Sequence, residues 1–166
     1  VEVMGGDIVS LYSLDAESLL VVTGEGDKAQ VAFMPLLGKQ KDPGAMGMFM
    51  VYRRRPAGAG EALDRCGGDE LLLRHISSGM FLSWGADGVG VTEGFSVDGC
   101  LTSLVCADTT TGNQDTEPGT LKYKDNVWLC SAGAHLPRLH ASVGGAAARG
   151  AFGMLLSPVA LVREPG

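Results

Sequence analysis

Apolar positions in this chain recur in short alternating runs, and no long stretch keeps an apolar stripe at helical spacing. The runs Asp7–Tyr12, Ser18–Thr23, Gln30–Met34 and Gly47–Tyr52 predict four strands. Gly24-Glu25-Gly26-Asp27 predicts a hairpin turn between the second and third, because Gly and Asp accept the left-handed backbone of a tight reversal. Pro35–Pro43, carrying Lys39 and Lys41, reads as a loop. Arg53–Ala62 reads as a polar, glycine-rich linker, with at most a turn of helix near Glu61–Asp64. A second set of runs starts at Asp69, turns at Gly85–Gly88, continues through Val89–Thr92 and ends with Gly99–Cys106. Ala107–Gly119 is a polar loop. A third set starts near Asp125, turns at Gly144-Gly145 and closes with Gly150–Leu156, with Ala146–Ala148 as a turn of helix.

The three sets share one template. Gly6-Asp7-Ile8-Val9-Ser10-Leu11-Tyr12, Gly68-Asp69-Glu70-Leu71-Leu72-Leu73-Arg74-His75 and Lys124-Asp125-Asn126-Val127-Trp128-Leu129-Cys130 each open on an Asp. A second apolar stretch ending in glycine begins 13, 12 and 14 residues later, at Leu20, Phe81 and Leu139. A strand–turn–strand unit repeated three times predicts a closed all-β structure of about twelve short strands in three pseudo-repeats, over residues 5–54, 67–106 and 122–158. The β-trefoil, a six-stranded barrel capped by three hairpins, is the natural closed solution, because closure removes exposed sheet edges.

Composition narrows the function. Of 166 residues, 45% are hydrophobic and 19% charged, so a core can be buried and whole-chain disorder is excluded. The net charge of −6 argues against nucleic-acid binding, which needs Lys and Arg against phosphates. Glycine, at 25 residues, is scattered without a period of three, which fits many tight turns. No apolar run reaches the roughly 18–20 residues of a bilayer span, and Val1-Glu2-Val3 lacks the basic start of a signal peptide. The opening at Val1 is expected for a piece of a longer protein. Cys66, Cys100, Cys106 and Cys130 form no C-x-x-C pair, so they read as free thiols in a reducing compartment rather than as a zinc site.

The opening Gly6–Tyr12 resembles the start of the N-terminal domain of inositol trisphosphate receptors and of the related ryanodine receptors. Asp69–Leu82, with Leu73-Arg74-His75, resembles the leucine-arginine-histidine frame of that domain and of the wider MIR group. Val127–Ser142, with Leu139-His140-Ala141-Ser142, is similar to its third repeat. The resemblance covers nearly the whole chain and rests on the order and spacing of its motifs. It implies a cytosolic β-trefoil regulatory domain of an intracellular calcium-release channel at the endoplasmic reticulum. Such a domain precedes the ligand-binding core without holding the ligand. It lowers ligand affinity and couples binding to gating through neighbouring domains and subunits of a tetrameric parent. The segment 53–67 is too short for the helical arm of the animal receptors, and the second closing strand has Leu101 and Leu104 where aromatic residues are expected. The alternative is a glycan-binding or secretory-pathway MIR-type trefoil.

Candidate sites are sparse. Arg53, Arg54 and Arg55 form the densest positive charge and a candidate phosphate contact, with Lys39, Lys41 and Arg65 near in sequence. The bland reading is a solvated loop entry. His75 reads as a structural histidine with a backbone hydrogen bond. His135 and His140, five apart, fall on opposite faces of a strand. Asp7 and Asp69 read as turn caps bonding amides two residues on. No nucleophile–base pair stands out, so no catalytic residue, metal or cofactor is expected. By the resemblance, Asp108, Asn113, Asp115 and Glu117 in the Ala107–Gly119 loop are the partner surface; the bland reading is a variable, solvated loop.

Overall fold

Short β-branched and leucine-rich runs separated by Gly, Asp and Ser turns leave the backbone no continuous helix to form, and the chain folds as strands. The computed structural model describes residues 2–13, 17–35, 44–54, 61–85, 88–94, 97–106, 115–131, 139–140, 148–149 and 159–163. Twelve strands lie among them: β1 Ile8–Ser13, β2 Ser18–Thr23, β3 Gln30–Pro35, β4 Phe49–Arg53, β5 Leu71–His75, β6 Phe81–Gly85, β7 Gly88–Thr92, β8 Thr102–Cys106, β9 Asn126–Ser131, β10 Leu139–His140, β11 Ala148–Arg149 and β12 Val159–Arg163. Described helical backbone is confined to one four-residue turn, α1 Val97–Cys100, and two 3-10 turns, Gly26–Lys28 and Gly44–Gly47. The chain is all-β.

The strands form a curled antiparallel sheet whose pairings return on themselves. β1 pairs with β12, β12 with β9, β9 with β8, β8 with β5, β5 with β4, and β4 with β1. The hairpin β2–β3 extends from β1 and the hairpin β6–β7 from β5, while β10 and β11 form a separate two-stranded piece.

Beneath the sheet, three short segments meet as equals. Val3 N–H donates to the Leu121 carbonyl (2.8 Å), Leu121 N–H to the Leu63 carbonyl (2.8 Å), and Leu63 N–H to the Val3 carbonyl (2.9 Å). All three side chains are fully buried. Each segment leads into one Asp of the sequence template. Met4 N–H donates to Asp7 Oδ2 (3.0 Å), Asp64 N–H to Asp69 Oδ2 (2.7 Å) and Lys122 N–H to Asp125 Oδ2 (2.9 Å). The template Asp therefore satisfies an amide upstream of itself, three or five residues back, and not one two residues on. The reason is that the segment before each strand doubles back, so its amides face the carboxylate. The residue before the first and third Asp is explained too, whereas in the second copy the left-handed residue is Gly67 (φ +79) and not Gly68. Gly6 has φ +92 just before Asp7, and Lys124 takes the same left-handed conformation (φ +77) just before Asp125.

The core joins these layers. Leu11, Phe49, Val51, Leu71, Leu73, Leu104, Val127 and Leu129 point inward from the strands in the cycle, against Leu20, Phe33 and Leu82 from the hairpins. In β5, Leu71, Leu73 and His75 are buried while Arg74 is exposed, the alternation of a strand with one wet face. β2 departs from it: Ser18 to Val22 are all buried. A Cβ on Gly47 would collide with the Leu19 side chain, so the Gly44–Gly47 turn covers the second face of β2.

Further sequence expectations change. Gly99 and Cys100, expected to begin the second closing strand, lie in the α1 turn, and the strand starts at Thr102. Residues 61–64 are not a helical turn or linker but part of the three-way junction, because their amides are taken by Val3 and Asp69. The strand that pairs with β1 and β9 is Val159–Arg163, beyond the expected closing run Gly150–Leu156 and beyond the third repeat's expected end at 158. Residues 150–156 lie outside the described residues, as do the expected turn at Gly144-Gly145 and the helical turn at its Ala146-Ala147.

Candidate functional site

Of the arginines expected as a phosphate contact, the described two, Arg53 and Arg54, do not converge. Arg53, at the end of β4, points its Nε at Asp69 Oδ1 (3.1 Å), reaches the Glu61 carboxylate (3.6 Å) and donates to the carbonyls of Glu61 and Ala62. Arg54 faces the other way and meets Glu70 (3.2 Å). Both charges are balanced within the chain, and Arg53 serves as a clasp between strands. Arg55, Lys39 and Lys41 lie outside the described residues.

The acidic loop is partly latched. Arg65 Nη2 donates to Asp115 Oδ2 (2.7 Å) and lies against Cys106 Sγ (3.2 Å), while its Nη1 is 3.9 Å from Glu117 Oε2. Backbone bonds from Asp115 N–H to the Cys106 carbonyl and from Arg65 N–H to the Gly119 carbonyl hold the same strip. Cys66 Sγ–H donates to the Glu117 carbonyl (3.3 Å). Burial works against the Arg65 charge, but the Cys106 contact and the carboxylates of Asp115 and Asp125 outweigh it and hold its pKa above the ordinary value. Burial pushes the Cys106 thiol up, with Arg65 offsetting part of the shift. Cys106 is thus a neutral thiol at neutral pH, and Asp115 supplies the charge match for Arg65. Glu117 remains exposed; Asp108 and Asn113 lie outside the described residues. Cys66, Cys100 and Cys106 are free thiols, and the Cys130 side chain is outside the described set.

His75 anchors a feature that sequence reading missed. Its ring is 2% exposed and packs at a tilt on Phe49, with centroids 5.3 Å apart. Nε2 lies 2.8 Å from the Met46 carbonyl, which only accepts, so Nε2 carries the proton. Nδ1 then accepts from the Ser78 hydroxyl (2.7 Å), and Ser78 Oγ accepts from Met80 N–H (3.2 Å). Burial lowers the His75 pKa, with the Met46 carbonyl opposing, so the ring is neutral near pH 7. Arg74, next to it, is turned outward over the Phe81 ring (5.6 Å) and donates to the Gly79 carbonyl.

This network forms the back wall of a cleft of about 650 Å³. The cleft is lined by Val22–Gly26 at the end of β2, by Met46, by His75, Ser77, Ser78 and Met80 around the turn after β5, and by Glu93 after β7. These segments lie far apart in the chain, so no local motif announces the cleft. Glu25 and Glu93 are exposed, and no described residue makes an ion pair with either.

Other chemistry is thin among the described residues. No three His, Cys, Asp or Glu side chains gather as a metal site. His140 lies in β10 and His135 outside the described residues. Trp84 is 6% and Trp128 4% exposed, and Trp84 Nε1 donates to Thr102 Oγ1 (2.9 Å). Neither indole offers an open face for stacking a sugar. No described helix is long and apolar enough to cross a membrane.

No family model matches this chain, and neither does any curated protein. The fold is shared with a solved Caenorhabditis elegans protein with unknown function: the TM-score is 0.70, over 97% of this chain and 96% of that one, at 15% identity. At that identity the likeness speaks for the fold alone.

Proposed function

We propose that this chain is a β-trefoil and serves as a non-catalytic regulatory domain of an intracellular calcium-release channel of the inositol trisphosphate receptor type. The trefoil reading rests on the Val3–Leu63–Leu121 ring, the three Asp–amide bonds and the cycle of six paired strands with hairpins attached. A threefold molecule built this way spends its interior on packing and presents its function on turns and loops.

The observation that carries the functional reading is the fate of the family-like residues. Asp7, Asp69, Arg74 and His75 are all taken up in bonds within the chain, most of them setting local turns, as expected for a scaffold frame that holds no ligand of its own. The domain then acts by contact with neighbouring domains and subunits on the cytosolic side of an endoplasmic reticulum channel. The glycan-binding alternative needs exposed aromatic platforms, and Trp84 and Trp128 are buried.

The test is calorimetry with inositol trisphosphate. The isolated domain should show no saturable heat. In a protein that joins it to its downstream ligand-binding segment, deleting residues 1–166 should tighten ligand binding several-fold. Stoichiometric, saturable binding by the isolated domain, or unchanged affinity after deletion, overturns the proposal.

A further inference from the structure

The cleft beside His75 has a definite chemical character. Its charged lining is Glu25 and Glu93, from two segments far apart in the chain, and no Lys or Arg lines it. Val22, Met46 and Met80 supply apolar wall, and Thr23 and Ser77 supply hydroxyls. Its back is fixed in advance: His75 is bonded at both nitrogens, and Ser78 is held between His75 and Met80. A preformed wall matters, because a ligand entering it does not have to order these groups. The remaining groups that face His75 are uncharged: the Met46 carbonyl, the Ser78 hydroxyl and the Phe49 ring. Nothing in the lining therefore neutralises the two carboxylates. Lys28, on the same hairpin turn, is not part of the lining, and Arg74 is turned onto Phe81 and Gly79.

We propose that this cleft receives the cationic side chain of a partner protein, a lysine or arginine whose aliphatic stem lies on Val22, Met46 and Met80 and whose head meets Glu25 and Glu93. Long basic side chains bury their stems on apolar surface while the charge stays at a wet rim. Thioethers adapt to such stems, and carboxylates with no ion-pair partner among the described residues are the natural acceptors of their N–H groups. Charge complementarity selects the occupant: the chain is acidic overall, and the lining excludes phosphates, carboxylates and other anions. The inference does not depend on the channel reading; it holds whatever parent carries the domain.

The experiment follows backbone amide chemical shifts by NMR during titration with Nα-acetyl-lysinamide and Nα-acetyl-argininamide. Nα-acetyl-norleucinamide serves as the uncharged control and cadaverine as a free diamine. The two basic amides should shift Thr23, Glu25, Ser77, Ser78 and Glu93 saturably, with dissociation constants on the order of millimolar. Glu25→Gln combined with Glu93→Gln should weaken this by about fivefold, and raised salt should weaken it in the unmutated domain. Both residues are exposed, so the variant keeps the fold. Equal shifts with norleucinamide overturn the proposal, as does no saturable shift at about 20 mM probe. Shifts spread evenly over Glu2, Glu17 and Glu70 would reduce the effect to screening and also overturn it. Saturation by cadaverine alone would assign the cleft to a small polyamine and exclude the protein partner.

Discussion

Arg53 and Asp69 meet side-on, with Nε 3.1 Å from Oδ1 and Nη2 3.4 Å from Oδ2. The pair sits beside the Arg53–Leu71 register position and ties the end of β4 to the start of β5. The same carboxylate accepts the Asp64 amide. Asp69→Ala removes the nearest carboxylate from a guanidinium whose side chain is only 11% exposed, leaving it Glu61 and two carbonyls. Stability should fall by about 2–3 kcal/mol, because a partly buried charge loses its side-on partner and the Asp64 amide loses its acceptor. Asp69→Asn keeps an acceptor and should lose about half as much. Urea unfolding of both variants checks this, and losses within about 0.5 kcal/mol of the parent would refute it.

The Val3–Leu63–Leu121 junction should be the least tolerant place in the core. Leu63→Ala and Leu121→Ala each remove a fully buried side chain where three backbones meet and cannot collapse inward. Each should cost about 3 kcal/mol. Ile76→Ala, at 37% exposure, should stay within about 0.5 kcal/mol. Denaturant midpoints at constant slope make the comparison; similar losses at Leu63 and Ile76 would remove the junction's special role.

Lys124 is exposed and left-handed, in the position that Gly6 occupies before Asp7. An L side chain in that conformation costs about 1 kcal/mol. Lys124→Gly should therefore raise stability by about 0.5–1 kcal/mol. Thermal melting shows it as a small upward shift, and a clear downward shift contradicts it.

His75 makes stability depend on pH. Its folded pKa lies below the unfolded value, so the unfolded chain binds the extra proton first as pH falls. The stabilisation is whole above the unfolded pKa, about 6.5. It declines as pH drops through that value towards the lower folded one. Unfolding curves between about pH 8 and pH 5 should show falling stability, and His75→Gln should flatten that trend. An equally steep decline in the variant would clear His75 of responsibility.

Sequence reading reached what is locally encoded. The Asp template was visible because each Asp bonds an amide a few residues away, and the alternating runs because one face of each strand is wet. The junction segments 2–4, 62–64 and 120–122 were invisible: each is three residues long and paired by single bridges, too short for any period. Val159–Arg163 was overlooked because the glycine-led run Gly150–Leu156 matched the repeat frame first, and nothing local shows which of two β-prone runs lies opposite β1. Arg53 and Arg54 look alike in sequence, yet one closes a clasp with Asp69 and the other meets Glu70. Asp115 read as surface charge, because its partner Arg65 is fifty residues away. The cleft was beyond reach for the same reason, being made of segments that only the folded sheet brings together.

The pairing of β1 with β12 sets Val9 opposite Arg163, and the Val3–Leu121 bond joins residues almost as remote. During synthesis the nascent chain therefore makes its first strand long before that strand's neighbour exists. Until residue 163 has cleared the ribosome, β1 can pair only with β2 and β4, and one of its edges stays open. Contacts this distant in sequence form slowly, and open strand edges in incomplete chains invite association. The described sheet closes only when β12 arrives, so its vulnerable period lasts from the emergence of β1 to that of β12.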